Sequence, residues 1–178
     1  MNKIRAFFLT LFLGIYFSVS AQVDDYHADI VTLLNCNGTV QEYDFEFERN
    51  LVSLRLRVAE DTTPASFWEK LREDKKESVD ELINILAFAY RKNFTHSEIK
   101  ELYSYYNTSA AQKLLTKDKE FTEEELSVIE EYNSSDLAKI VAAKKEVLAE
   151  DIKGIAYDWN KELFEKGMSA LVKAGYTK

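Results

Sequence analysis

Residues 94–115 read FTHSEIKELYSYYNTSAAQKLL, and residues 121–126 read FTEEEL. Both stretches open Phe-Thr-x-x-Glu and continue with an aliphatic residue. That order is a helix start: the threonine hydroxyl accepts from the backbone N–H three residues on, and the glutamate reaches back to the threonine N–H. The phenylalanine before each cap is placed to meet the aliphatic residue beyond it, Phe94 with Ile99 and Phe121 with Leu126, as a hydrophobic staple. Thr39-x-x-Glu42 offers a third capping box. A chain that marks its helix starts this often, holds one proline and five glycines, and nowhere alternates like a half-buried strand reads as all-α.

The apolar residues between these starts keep a helical period. Val40, Tyr43, Phe47, Leu51, Leu54 and Val58 step by three or four, forming one stripe. Ahead of them Ile30, Leu33 and Leu34 close a short helix that Gly38 can end in a left-handed cap. Thr63-Pro64 suits an N-cap with proline at the first helical position, opening a helix that buries Phe67, Trp68 and Leu71. EDKKES, residues 73–78, reads as a loop, after which Ser78 starts a helix carrying Val79, Leu82, Ile83, Leu86 and Tyr90. From 136 to 173 the pattern is helical throughout, with Leu137, Val141, Leu148, Ile152, Ile155, Trp159 and Leu163 on the buried side. The expectation is a bundle of about eight helices in one domain over 22–178.

Such a C-terminal helix would be about 57 Å long at 1.5 Å per residue, against a diameter of roughly 40 Å for a globule of this size. Two outcomes are expected: a break near Gly154 with the tail folded back, or a projecting end that associates with a second copy or another envelope protein.

Residues 1–21 read as an export signal. Lys3 and Arg5 precede the apolar run AFFLTLFLGIYFSV, and VSA places small residues before a cut at Ala21/Gln22. The run is shorter than the roughly 20 residues that span a bilayer. Cleavage takes the formal charge from −8 to −10 by removing those two cations. An exported, acidic chain has no electrostatic footprint for nucleic acid and is repelled by anionic lipid. We therefore expect a periplasmic or secreted protein with no stable membrane insertion once cleaved. Cys36 is the only cysteine, so no internal disulfide can form, and it reads as a buried, inert thiol at a helix end.

Catalytic templates fail on the residues present. Two histidines cannot build a three-histidine zinc site, and there is no H-E-x-x-H, C-x-x-C, G-x-S-x-G or phosphate-cradling glycine loop. The acidic DKEFTEEEL lacks the alternating ligands and central glycine of a calcium loop. No catalytic, cofactor-binding or metal residue is assigned. His27 reads as a surface partner of Asp24, and His96, first in its helix, as neutral and exposed. Among the tyrosines, Tyr106 shares the stripe of Ile99 and Leu102, Tyr103 flanks it, and Tyr105 points away. Tyr103, Tyr105 and Lys113 form the candidate binding surface, for a protein or small ligand.

With those residues sorted, 94–115 resembles the signature of the bacterial family catalogued as domain of unknown function 2059. Phe94, Thr95, Glu98 and Ile99 match its cap, Tyr105 and Tyr106 its aromatic pair, Thr108 its turn residue and Lys113 its lysine. Ser109 stands where the family has proline and Ala111 where it has glycine, which lets the two helices run on as one bent helix. LLNCNGTVQEYDFEF also resembles the family's opening helices. The resemblance implies an exported helical protein of the cell envelope or periplasm, with no established activity.

Two functions remain: a non-enzymatic envelope module that binds a protein or small ligand, and a hydrolase using an unrecognised Asp/Glu pair. The enzyme should show a pocket with convergent carboxylates, one of them buried. The module should show an apolar or aromatic groove.

Overall fold

The computed structural model describes residues 21–58, 63–116 and 120–177. The leader expected over 1–21 falls outside them except for Ala21. The described residues are helical and contain no strand: α1 (Ala21–Cys36), α2 (Thr39–Arg55), α3 (Ala65–Glu73), α4 (Lys75–Asn93), α5 (His96–Tyr106), α6 (Ser109–Thr116), α7 (Glu123–Ser134) and α8 (Asp136–Ala174).

The apolar stripes sort into two buried clusters. In the first, Ile30, Leu33 and Leu34 of α1 meet Tyr43 of α2, Val79, Leu82, Ile83 and Leu86 of α4, and Ile99 and Leu102 of α5. In the second, Phe47, Leu51 and Leu54 of α2 meet Trp68 of α3 and Leu171 of α8. Trp159 touches both clusters, edge-on to Tyr43 at 5.6 Å between ring centres. Its indole N–H donates to Ser78 of α4 at 3.0 Å (Oγ) and 3.2 Å (backbone O), so the one polar atom it carries inward is satisfied.

Helix α8 corrects both expectations for the C-terminal segment. It runs 39 residues without a break, and it does not project. Leu137, Ile140, Val141, Leu148 and Ile152 pack on the first cluster, and Leu163, Phe164, Met168 and Leu171 on the second. The bundle is laid out along this helix, so α8 finds partners from Leu137 to Leu171. Gly154 faces open space and lies within the uninterrupted helix. Gly167 is the glycine that packing requires: a Cβ there would lie 2.3 Å from Leu54 Cδ1, and that leucine is 1 % exposed.

Several local starts differ from expectation. Thr39 does not cap α2. Asn37 Oδ1 accepts from Thr39 N at 3.1 Å and from its hydroxyl at 2.7 Å, so the hydroxyl is already committed when the helix begins. Gly38 takes the left-handed turn (φ +92°) that was expected of it. Pro64 is the N-cap of α3 rather than its first residue, because its ψ of 151° is extended, and no side chain caps that helix. The expected loop at 73–78 shrinks to Asp74, the lysines and glutamate being good helix formers in water. Helices α5 and α6 do not run together: Thr108 accepts from Ala111 N through its hydroxyl at 3.2 Å and starts α6 afresh.

Candidate functional site

The sequence-derived surface holds the family-like segment to its neighbours. Tyr103 is half-buried against the first cluster. Tyr105 stacks on Tyr132 of α7, ring centres 3.7 Å apart and planes within 6°. Burial, the first cause, pushes both phenols up, Tyr132 to about 12. The Lys113 ammonium lies 2.7 Å from Glu125 and donates to the Glu120 carbonyl at 3.0 Å, tying α6 to the start of α7.

His96 is half-buried rather than exposed. Its Nε2 lies 2.6 Å from Asp29 Oδ2 of α1, and its ring stacks on Tyr26 at 4.6 Å. His27 Nε2 lies 3.3 Å from Asn84 Oδ1, while the side chain of its expected partner Asp24 falls outside the described residues. Cys36 is half-buried, with burial raising its thiol against the opposing pull of a backbone hydrogen bond. Among the described residues no group of His, Cys, Asp and Glu side chains could hold a metal ion.

Where α3 turns at Asp74 into α4, a cavity of about 290 Å³ opens between α2, the α3–α4 corner and α8. Its floor is apolar: Phe47, Leu51 and Leu54 from α2, Leu71 from α3 and Leu163 from α8. Its rim carries Asp74, Glu77 and Glu81, all exposed, together with Lys166. Ser78, on the wall, is the residue that receives the Trp159 indole N–H. Close approach at Gly167 sets the depth at the α8 side, since a side chain there would collide with Leu54.

The three rim carboxylates form no ion pair among the described residues. Neighbouring acids do: Glu48 takes Arg72 at 3.0 Å, and Glu162 takes Lys166 at 2.9 Å. The hydrogen bond that Lys166 donates to Glu162 raises its ammonium above the usual range. Burial opposes this, and the charges of Glu162, Glu81 and Asp74 add to it. The site therefore combines features of both expected kinds, an apolar groove with carboxylates at its mouth. A carboxylic acid kept protonated for catalysis needs an apolar enclosure, and none of these three has one.

Sequence reasoning missed this groove. Its lining runs from Phe47 to Gly167, and the apolar contributors from α2, α3 and α8 belong to helix stripes that read simply as core.

Residues 80–132, spanning most of α4 through most of α7, match the family described as uncharacterized protein conserved in bacteria (DUF2059). No curated protein and no solved structure matches the chain. Among the described residues, no helix is long and apolar enough to cross a membrane.

Proposed function

We propose that this chain is an exported, non-enzymatic binding module of the bacterial envelope whose ligand enters the groove between α2, the α3–α4 corner and α8. The observation that carries the reading is the 290 Å³ cavity, near the lower end of the roughly 300–1,000 Å³ typical of small-molecule sites. Phe47, Leu51, Leu54, Leu71 and Leu163 give it an apolar side, Asn50 and Ser78 add polar groups to the wall, and carboxylates stand at the mouth. The leader-like N-terminus, the acidic composition and the DUF2059 match support the setting. The hydrolase alternative asks for a buried acid, and the rim carboxylates are exposed.

Backbone and indole NMR of the chain during a small-fragment screen tests this. Bound fragments should shift Leu51, Glu77, Ser78 and Gly167 together with the Trp159 indole. Shifts confined to Tyr103, Tyr105 and Lys113 would move the site to that surface. Turnover of a bound fragment that disappears in Glu77→Gln would replace the module by the hydrolase.

A further inference from the structure

We infer that the groove selects a small amphiphilic cation, an alkyl chain of modest length ending in an ammonium group. This rests on the groove being the binding site and adds the chemical class of what binds there. Phe47, Leu51, Leu54, Leu71 and Leu163 offer hydrocarbon contact, while the polar wall residues Asn50 and Ser78 are already engaged by Asn160 and Trp159, so the inserted part is apolar. At about 30 Å³ per non-hydrogen atom, 290 Å³ holds roughly ten such atoms, the size of a short amphiphile. A partner protein would need on the order of 800 Å² of its own surface in contact, far more than a cavity of this volume presents.

The mouth supplies the charge preference. Asp74, Glu77 and Glu81 all line it and form no ion pair among the described residues, while the cation described on the rim, Lys166, is engaged by Glu162. An anion inserting its tail would bring its head against three carboxylates. An ammonium head would meet them favourably, and the field is already felt by a native ammonium, since Glu81 and Asp74 both act on Lys166. Opposite charges a few ångströms apart attract even in bulk water, and more strongly near a protein surface.

The test titrates octylammonium, 1-octanol and octanoate, below micelle-forming concentrations, against the full chain, following Trp159 fluorescence and the amide resonances of the groove. Octylammonium, with about nine non-hydrogen atoms, fits the volume. It should bind about tenfold tighter than octanol at low salt, with octanoate weakest, and the advantage should shrink severalfold in 1 M salt, where screening acts over about 3 Å. The double variant Glu77→Gln/Glu81→Gln, altered only at exposed positions, should bring octylammonium down to the affinity of octanol. Glu130→Gln/Glu131→Gln, exposed acids of α7 away from the groove, should leave it within about twofold, separating a local preference from the general pull of an acidic protein. Equal binding of octanol and octylammonium in the groove, or no loss in the Glu77/Glu81 variant, overturns the cation preference and leaves the groove standing. No shift of any groove resonance with any of the three probes overturns both.

Discussion

At residues 94–99 and 121–126 the chain builds one cap twice, and only one of the two carries weight in the core. The geometry is closely matched. Glu98 N donates to Thr95 Oγ1 at 3.3 Å and Thr95 N to Glu98 Oε2 at 2.7 Å; the corresponding distances at Thr122 and Glu125 are 3.2 and 3.0 Å. Each glutamate also receives a lysine from a neighbouring helix, Lys144 of α8 at 2.9 Å and Lys113 of α6 at 2.7 Å. The staples differ. Phe94 and Ile99 lie inside the first cluster, 5 % and 0 % exposed, whereas Leu126 is 52 % exposed and α7 has no buried residue at all. A local sequence device fixes where a helix starts. How much that start is worth depends on what tertiary packing lays over it.

The sharpest way to break the contrast is at the staple residue. Ile99→Ala removes a fully buried side chain and should cost about 3 kcal/mol, seen as a lowered denaturation midpoint; a loss below about 1 kcal/mol would mean that the first cap is no better covered than the second. Next comes the cap. Thr95→Ala should cost about 1 kcal/mol of global stability in a thermal melt. Thr122→Ala removes the same hydrogen bond, yet its effect should appear mainly as faster amide exchange confined to 123–134, since no residue of α7 is buried. Identical global losses for the two variants would erase the difference between the regions.

Acid sharpens the same comparison at smaller amplitude. For Glu98, burial works to raise the carboxyl, but the Thr95 N–H and Lys144 outweigh it and hold the group below its ordinary 4.5. For Glu125, Lys113 and then the Thr122 N–H do the same. A carboxyl held low in the folded state contributes stability that is complete above about 4.5 and is lost as pH falls through the folded value. Denaturation series from pH 6 down to 3 should therefore show a decline that Glu98→Gln flattens, the glutamine still able to close the box. An unchanged slope would show that the Lys144 contact adds nothing. Smallest of all, Leu126→Ala should stay within about 0.5 kcal/mol of the parent, as surface changes do.

What the sequence discloses follows the same division. Caps at Thr95 and Thr122 are legible because their chemistry is completed within four residues. The apolar stripes are legible because helical period alone selects the buried side, and Tyr43, Phe47, Leu51 and Leu54 are all buried as the spacing requires. Thr39 misleads because a competing local acceptor, Asn37, lies two residues away. EDKKES misleads because solvated charge looks alike in a loop and on an exposed helix face. In α8, glycine disfavours helix by roughly 1 kcal/mol wherever it stands, yet at Gly154 the helix runs on through open space. Gly167, the position that matters, is explained only by Leu54, 113 residues earlier. The groove is illegible for that same reason, assembled from helices far apart in the chain.

The placement of α8 also sets the order in which the molecule can be completed. A ribosome delivers residues 136–174 after α1 through α7, yet the partners of Asn50, Ser78, Lys92 and Glu98 all lie on α8: Asn160, Trp159, Asp151 and Lys144. Closing contacts over such long sequence separations is slow. Until that final helix arrives, the nascent chain can form capped helices but leaves the α8 side of both clusters uncovered. Late closure of this kind suits the export proposed above, since the chain stays threadable and the lock is the last piece through.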